Sequence, residues 1–246
     1  MTVAGQEVAS ASVDSLKPRQ AYLNNLIKRH FPENRNAIIF ELGCGPGALI
    51  YFARQSGYMN MTGVDGSPEQ VAAARKIGMP VIEGDVLTAL KAIPDDSLDV
   101  VVAFDVIEHF TRDELIPVVD EVFRVLKRDG GRWILHVPNG ESPFVGRILY
   151  GDLTHEIAFT QTSLKQLLIS SGFGRVECFE DVPVPHSFKS FARWIIWKMI
   201  RNMLKLYVAA ETGDTRNVIF SQNLLAAAYI ENTLKDMSMN TKEIRC

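Results

Sequence analysis

The chain has 246 residues, of which 47% are hydrophobic, 26 are lysine or arginine and 29 are aspartate or glutamate. This length and composition predict a globular protein with a full core, arranged as one large domain or two small ones. A formal net charge of −3 without a basic stripe argues against an extended nucleic-acid-binding surface.

Helix-like and strand-like segments alternate along the chain. Apolar residues at helical spacing predict a first helix over about 16–30, and the apolar run 37–40 predicts the strand that follows. Ser67-Pro68 predicts a helix start, and a helix predicted over 112–127 ends at Asp129-Gly130-Gly131. Further strands are predicted at 61–65, 80–85, 98–105, 133–137, 175–179 and 223–229. Apolar strands that alternate with helices indicate a doubly wound α/β domain built on a parallel sheet.

Ligand-binding chemistry is predicted where the strands end, because ligands of doubly wound sheets bind at the carboxyl ends of the strands. The first strand runs into ELGCGPG (residues 41–47), whose glycines allow a sharp turn and a close approach of the backbone to a ligand. The next three strands end in Asp65, Asp85 and Asp105. One acid at a strand end is often a turn former or a helix cap. Four along one sheet edge, namely Glu41 and these three aspartates, favour a binding site.

The strand-end motifs resemble those of class I S-adenosylmethionine-dependent methyltransferases. In chain order they are ELGCGPG (41–47), VDGS (64–67), EGDV (83–86) and FDVIEH (104–109). The resemblance covers roughly residues 35–180. A dinucleotide-dependent dehydrogenase is disfavoured, because the evenly spaced Gly43, Gly45 and Gly47 do not meet the GxGxxG pattern.

This resemblance implies a fold and a cofactor. The fold class is α/β: a doubly wound, Rossmann-like sheet of seven mostly parallel strands, with helices on both faces and a helical insertion between the last two strands. The cofactor is S-adenosyl-L-methionine. Residues 1–246 would form a single methyltransferase domain. Its parts would be an N-terminal helical segment (1–34), a cofactor-binding core (35–180), a helical cap insertion (181–222) and the last strand with a polar tail (223–246).

The resemblance also implies how the cofactor is bound. Glu41 and the glycine loop would hold the methionyl part, Asp65 the ribose, and Asp85 with the backbone of the next residue the adenine. Asp105 would lie near the methionine end, and His109 would help to wall the cofactor. The full set of expected cofactor-binding residues is Glu41, Gly43, Cys44, Gly45, Gly47, Asp65, Gly66, Asp85, Val86, Asp105 and His109.

The segment after the fifth strand suggests the methyl acceptor. The pattern VPN (137–139), and DLTHE followed by FT (152–160), resemble a bacterial subgroup found with cell-surface polysaccharide and sugar biosynthesis. That resemblance implies methyl transfer to a hydroxyl group of a sugar or polysaccharide precursor. Tyr150, Glu156 and Asn139 are expected to contact this substrate.

His155 is the expected general base. A sugar hydroxyl is a poor nucleophile at neutral pH, so a base with a pKa near the working pH assists the reaction. His155 lies in a polar loop after the fifth strand, where Asp152 is placed to orient it. Alternatively, His155 only fixes the loop; His136, inside the strand, is expected to be a core histidine. No metal site is assigned, although Asp105, Asp152 and Glu156 are a set that could hold a divalent cation.

The insertion contains a predicted helix over 187–210 that combines aromatic and basic residues. Three roles are open to it: it caps the acceptor site, it packs its aromatic rings on the domain, or it lies at a membrane surface as an interfacial helix. The last role, a peripheral membrane contact, would suit a lipid-linked saccharide. The most apolar part, around 194–200, is too short and too charged to span a bilayer.

The remaining expectations concern the compartment and the partners. Cys44, Cys178 and Cys246 are scattered, which suggests neither a disulfide framework nor a zinc site. Residues 1–15 lack a signal-peptide pattern, so a cytoplasmic, reducing compartment is expected. The expected partner is a small-molecule or saccharide acceptor and no nucleic acid, and the oligomeric state is open. Two alternatives are an O-methyltransferase of a small secondary metabolite (polyketide or quinone-like) and a non-catalytic, cofactor-binding partner domain.

Overall fold

A computed structural model describes residues 12–213 and 218–231, so most of the predicted polar tail lies outside the described residues. Seven strands form one sheet in the order β3-β2-β1-β4-β5-β7-β6. Strands β1 to β5 are parallel, and β7 runs antiparallel between β5 and β6, so that β6 points the same way as β1 to β5. The strands are β1 (Ile39–Leu42), β2 (Met61–Asp65), β3 (Val81–Glu83), β4 (Val100–Phe104), β5 (Arg132–Pro138), β6 (Arg175–Glu180) and β7 (Asn223–Tyr229).

Helices connect these strands. They are α1 (Val13–Leu16), α2 (Gln20–His30), α3 (Ala48–Gln55), α4 (Pro68–Lys76), α5 (Val86–Lys91), α6 (Arg112–Val125), α7 (Val145–Leu149), α8 (Gln161–Ser170) and α9 (Phe188–Thr212). The helix predicted over 16–30 is wrong at its start, because a 3-10 turn at Lys17–Arg19 separates α1 from α2. Pro18 lies in this turn, and its missing N–H breaks the α-helical hydrogen-bond series there.

Two hydrophobic cores lie on the two faces of the sheet. Alternate residues of β4 pack into opposite cores: Val101 and Ala103 into one, Val100 and Val102 into the other, and all four are fully buried. Each buried valine side chain contributes about 1.5–3 kcal/mol. The strands are therefore held firmly from both faces, which fixes the positions of their carboxyl ends.

The strand order reverses at β1, which pairs with β2 on one side and with β4 on the other. This is the topological switch point of the sheet: strands β2 and β3 lie on one side of β1, and the later strands lie on the other. In doubly wound folds, the crevice outside such a point is where ligands bind. The residues that follow β1 and β4 therefore border the expected ligand site.

Candidate active site

The glycine loop connects β1 to α3 in a backbone conformation that only glycine adopts easily. Gly43, Gly45 and Gly47 have φ angles of +62°, +51° and +77°. A Cβ atom on Gly43 would lie 2.4 Å from Cγ2 of Val106, whereas a Cβ on Gly45 would meet nothing within 4 Å. Gly43 thus allows the loop to pack against the segment after β4, while Gly45 faces open space in which a ligand can approach the backbone.

A small cavity of about 80 Å³ lies between the glycine loop and the end of β4, and its lining includes Arg19, Glu41 and Asp105. Glu41 is 4% exposed, and its Oε2 atom has no hydrogen-bond partner within the described residues. Burial raises the pKa of Glu41 to about 8. An unpartnered carboxylate and a guanidinium in one cavity complement the ammonium and carboxylate groups of an amino acid. The residues therefore fit the methionyl part of the expected cofactor.

Asp65 and Asp85 both lie at the ends of strands, as the sequence analysis predicted. Oδ2 of Asp65 accepts a hydrogen bond from Gly45 N at 2.7 Å, and its Oδ1 accepts one from Ser67 N at 2.9 Å. Asp85 is exposed and caps α5, since its Oδ1 accepts a hydrogen bond from Thr88 N at 2.8 Å. Both carboxylates have lone pairs left for a ligand, and their roles toward ribose and adenine stay predictions.

The side chain of Cys44 is buried against β2, although the residue also borders the small cavity. It is 5% exposed, and a Cβ atom on Gly63 of β2 would lie 3.0 Å from its Sγ atom. Burial raises the pKa of the thiol well above its ordinary value. The backbone of Cys44, with the flanking glycines, is therefore better suited than its thiol to contact a cofactor.

Asp105, His136 and Asp181 form a hydrogen-bonded chain. Nδ1 of His136 lies 2.7 Å from Oδ1 of Asp105, and its Nε2 lies 3.3 Å from Oδ2 of Asp181. The imidazole is 6% exposed and stacks on Phe104 with a centroid distance of 5.3 Å. Burial lowers the pKa of His136, but the two carboxylates outweigh it and raise that pKa to about 10. His136 is thus a protonated, fully occupied imidazole, which leaves it no free nitrogen to act as a base.

Asp105 has an unusual backbone for a residue with a side chain. Its φ angle is +54°, in the left-handed region, which Asp and Asn tolerate better than most residues. This conformation directs the carboxylate to His136 at the same edge as the glycine loop. Burial tends to raise the pKa of Asp105, but the hydrogen bond from His136 outweighs it and holds that pKa below its usual value. Asp105 is therefore an anion beside the cofactor cavity.

His155 and His109 lie side by side, with ring centroids 4.7 Å apart. Nδ1 of His155 lies 3.0 Å from the carbonyl oxygen of Ile148, and Nδ1 of His109 lies 3.2 Å from that of Thr154. A ring nitrogen that faces a carbonyl oxygen must be the donor, so Nδ1 carries the hydrogen in both rings. The Nε2 atom of each neutral ring therefore keeps its lone pair.

Asp152 acts on this pair indirectly. Its Oδ1 accepts hydrogen bonds from the hydroxyl and the backbone N–H of Thr154, at 2.8 and 2.9 Å. The Thr154 hydroxyl, at 2.9 Å, in turn accepts from Nδ1 of His109. The side chain of Asp152 thus orients His109 through Thr154, which corrects the expectation that it orients His155.

Glu108 is a residue of this edge to which the sequence analysis assigned no role. It lies in a 3-10 turn (Ile107–His109), is 0% exposed, and neither carboxyl oxygen has a hydrogen-bond partner within the described parts of the chain. Burial raises the pKa of Glu108 to about 8. Ligand atoms of Glu108, His109 and His155 lie within 4.8 Å of one another. The motif FDVIEH contained this residue, but its burial could not be read from the motif.

The three residues that were expected to contact the substrate differ in their exposure to solvent. Asn139 is fully buried, and its Nδ2 donates to the carbonyl oxygens of Ile219 and Ser221, both at 2.8 Å. Its side chain joins β5 to the segment before β7, so the expectation that Asn139 contacts the substrate is wrong. Tyr150 is 79% exposed and Glu156 is exposed. Both are accessible, and their contacts with a substrate stay predictions.

A larger cavity of about 450 Å³ lies beside the chain of Asp105, His136 and Asp181. It is formed by the start of α2, the segment between β6 and α9, and the first turns of α9, so the insertion does reach this edge. Its lining includes Tyr22, Asp181, His186, Ser190, Arg193 and Trp197. Asp181 borders this cavity and Asp105 borders the smaller one, so that His136 lies between the two. Arg19 and Asp181 were missed in the sequence, although Asp181 follows a strand as the other acids do.

Part of the chain matches a known family model. Residues 39–130 match the family model described as a methyltransferase domain. A search of the curated proteins found no match.

Solved structures of low sequence identity share the fold. One is an S-adenosylmethionine-dependent methyltransferase of Archaeoglobus fulgidus, with a TM-score of 0.64, 19% identity, and 89% of this chain and 100% of that chain covered. Another from Mesorhizobium loti has a TM-score of 0.58 and 17% identity, covering 87% and 99%. A Haemonchus contortus phosphoethanolamine N-methyltransferase in complex with S-adenosylhomocysteine has a TM-score of 0.60 and 16% identity, covering 86% of this chain and 52% of that chain. These similarities confirm the predicted fold class. The match of residues 39–130 to the methyltransferase domain supports S-adenosylmethionine as the cofactor and methyl transfer as the reaction.

Proposed function

We propose that this protein transfers the methyl group of S-adenosylmethionine to a hydroxyl group of a sugar in a saccharide precursor. The observation that carries this proposal is the cavity of about 450 Å³ beside the cofactor edge. Its lining combines charged and polar side chains, such as Asp181 and Arg193, with the aromatic rings of Tyr22 and Trp197. A sugar offers many hydroxyl groups that can hydrogen-bond to the charged and polar side chains, and apolar C–H faces that can pack on the aromatic rings. The volume is in the range of small-molecule sites.

His155 is the proposed proton acceptor when no metal ion is bound. Its Nδ1–H is fixed on the carbonyl of Ile148 at 3.0 Å, which leaves Nε2 unprotonated in the neutral ring. His136 does not suit the role, because both of its nitrogens are bonded to carboxylates. The acceptor hydroxyl would meet the methyl group near Asp105, whose charge interacts with His155.

A substrate screen tests the proposal. The full chain is incubated with labelled S-adenosylmethionine and either nucleotide sugars and lipid-linked saccharides or phenolic and polyketide alcohols, and products are scored by a mass gain of one methyl group. We expect methylated saccharides. Methylation confined to the phenolic set would overturn the acceptor class, and cofactor binding without any product would favour a non-catalytic domain. With an acceptor in hand, His155→Gln should lower turnover by about 10²–10⁴-fold at unchanged cofactor affinity, as expected for loss of a general base.

We also propose that α9 contacts an anionic membrane surface, where a lipid-linked saccharide would be met. The large apolar side chains Phe188, Ile195 and Met199 are 87%, 41% and 64% exposed, and their spacing puts them on one face of the helix. Lys189 lies along one border of this face, and Lys198 lies along the other, as in interfacial helices. The opposite face contacts the domain through the ion pair of Arg201 with Glu180 of β6, and it includes Ser190, the one buried residue of α9, all of which is described.

Charge is the reason to prefer anionic lipid over a second copy of the chain. The sequence of α9 contains five lysine or arginine residues and one glutamate, so two parallel or antiparallel copies would repel each other. No helix of the described residues is long and apolar enough to cross a membrane, so the contact would be peripheral.

Sedimentation with lipid vesicles tests this contact. We expect binding to vesicles with 30% phosphatidylserine and little binding to pure phosphatidylcholine. Reversal of Lys189, Lys198 and Lys205 to glutamate should weaken binding on the order of 100-fold, since each cation near the surface contributes about 1 kcal/mol. Reversal of Lys28, Lys76 and Lys91, exposed on other helices, is the matched control. Equal binding by both variants, or a dimer that needs α9 and ignores vesicles, would refute the contact.

A further inference from the structure

The cluster of Glu108, His109 and His155 has the chemistry of a cation site. One ligand atom from each residue lies within 4.8 Å of the others, and the three come from two segments that the fold brings together. The backbone N–H groups of Glu156 and Ile157 donate to the carbonyl oxygen of Glu108 at 2.8 and 3.2 Å, which holds the segment of His155 against the turn after β4. Small side-chain rotations bring such atoms to the separations of about 3–4 Å that a bound ion requires.

The two histidines are already oriented as metal ligands. In metal sites, the ligating imidazole usually donates its other N–H group to a carbonyl or carboxylate oxygen, which fixes the ring. His155 does so to Ile148 at 3.0 Å, and His109 does so to Thr154 at 2.9 Å (hydroxyl) and 3.2 Å (carbonyl). The series of hydrogen bonds that begins at His109 continues to Asp152, which accepts a hydrogen bond from the Thr154 hydroxyl at 2.8 Å. This support places a free Nε2 lone pair on each of two neighbouring rings.

The burial of Glu108 is a second reason to expect a cation at this cluster. Glu108 is 0% exposed, and both of its carboxyl oxygens lack a hydrogen-bond partner among the residues that the structure describes. Burying a polar group without partners costs roughly 1–3 kcal/mol, and more when it is charged. A cation between this carboxylate and the two imidazoles would remove that cost, because it supplies the missing partner.

We propose that Glu108, His109 and His155 bind a divalent transition-metal ion. Two imidazole nitrogens and one carboxylate oxygen favour ions such as Zn²⁺, Co²⁺ or Mn²⁺ over Mg²⁺ and Ca²⁺, which prefer oxygen ligands throughout. Three protein ligands leave at least one coordination position open, as in catalytic sites. Asp105, Asp152 and Glu156, the set considered from the sequence, are engaged elsewhere or exposed.

The role of the ion rests on the proposed function. A sugar hydroxyl that occupies the open position would lose its proton more readily, because a bound cation lowers the pKa of a coordinated oxygen. The O–H bond would then break with the proton passing to solvent, and the oxygen would keep the electron pair. When this oxygen bonds to the methyl carbon, the bond between that carbon and the sulfonium sulfur breaks, and its electron pair stays on the sulfur, which leaves as a neutral thioether. In this state Nε2 of His155 is a metal ligand, and the ion takes over the activation that His155 provides in the metal-free protein.

Calorimetric titration of the chelator-treated full chain with Co²⁺ and Mn²⁺, without cofactor or acceptor, tests the site. We expect one ion per chain, with a Co²⁺ absorption band in the visible range that reports nitrogen and oxygen ligands. His109→Gln, His155→Gln and Glu108→Gln should each weaken binding at least 100-fold, and Thr154→Val by about 10–100-fold, the range for outer-sphere partners. His186→Gln is the matched control, because His186 also places Nδ1 on a carbonyl (Val184, 2.9 Å) but lies outside the cluster.

Two results would overturn the site. One is no binding at millimolar ion concentration; the other is binding that survives His109→Gln and His155→Gln, which alter accessible side chains and leave the core intact. Unchanged binding in a folded Glu108→Gln variant would show that Glu108 is a buried neutral acid and no ligand. Binding without methyl transfer to any acceptor would sustain the site and refute the proposed function. Methyl transfer that persists in excess chelator would refute the role of the ion in catalysis.

Discussion

Replacing His136 by glutamine should destabilise the protein in a pH-dependent way. The imidazole is buried between the carboxylates of Asp105 and Asp181, which raise its pKa from 6.5 to about 10. The folded state therefore binds a proton that the unfolded state releases above pH 6.5. The resulting stabilisation is fully present below pH 6.5 and is lost as the pH rises to about 10.

The magnitude follows from the pKa and the exposure of the partners. The rise in the pKa of His136 corresponds to at most roughly 5 kcal/mol of unfolding free energy. The side chain of Asp105 is 52% exposed, so water screens part of its interaction with the imidazolium. We therefore expect a loss of about 3 kcal/mol at pH 6, the lower end of the range for breaking a buried pair.

Urea unfolding followed by circular dichroism at pH 6, 8 and 10 measures this effect. The wild type and His136→Gln should differ most at pH 6 and converge toward the packing contribution alone at pH 10. Glu108, whose pKa burial raises to about 8, also makes stability fall as the pH rises from about 4.5 to 8. It is present in both proteins, but the charge of His136 lowers its pKa, so its contribution cancels only in part. His186→Gln, an exposed histidine, is the control and should show no such pH dependence. A difference between wild type and His136→Gln that is equal at pH 6 and pH 10 would refute the imidazolium assignment.

Three further predictions concern the cofactor and are measured by calorimetric titration with S-adenosylmethionine on variants with unchanged unfolding temperatures. Asp65→Ala should weaken binding about 10–100-fold, because the ribose loses a charged acceptor; such hydrogen bonds contribute about 1.5–3 kcal/mol. Gly45→Val should abolish binding, since a side chain at φ +51° is strained and fills the ligand space; normal affinity would mean that the loop is mislocated. Arg19→Gln should weaken binding by a similar 10–100-fold if its guanidinium pairs with the methionine carboxylate, and Arg29→Gln, exposed on α2, should not.

The sheet was predictable because its strands are apolar and bounded by glycine and acids. Strands β2 and β7 agree with the predicted limits of 61–65 and 223–229. Strand β7 is an apolar run, as a central strand buried on both faces requires. Strand β2 (MTGVD) is less apolar, and its end is marked by Asp65. The first helix was predicted less well, because the periodicity of 16–30 continues through Pro18, while its missing N–H does not allow the helix to do so.

The candidate site was predictable only where its residues follow strands. Asp65, Asp85 and Asp105 occupy strand ends as expected. Asn139 also follows the core of a strand, so it looked equivalent to these aspartates. Its amide, however, donates a hydrogen bond to the backbone of Ile219, 80 residues away, and no local sequence pattern reveals this pairing. Arg19 reaches the cofactor cavity only because the turn before α2 packs on that edge. Residues brought in by long-range packing carry no signal in their own neighbourhood.

The charges at this edge suit a cofactor that loses its positive charge on reaction. Asp105 and Asp181 carry two negative charges, and the His136 imidazolium compensates one of them. We expect the sulfonium ion beside Asp105, where the remaining negative charge would attract it but would have no such attraction for the neutral thioether that remains after methyl transfer. Full compensation would remove this preference, whereas two uncompensated carboxylates would hold the sulfonium so strongly that the barrier to its neutralisation rises. The buried imidazolium therefore sets the strength of this attraction, and its loss should alter cofactor discrimination as well as stability.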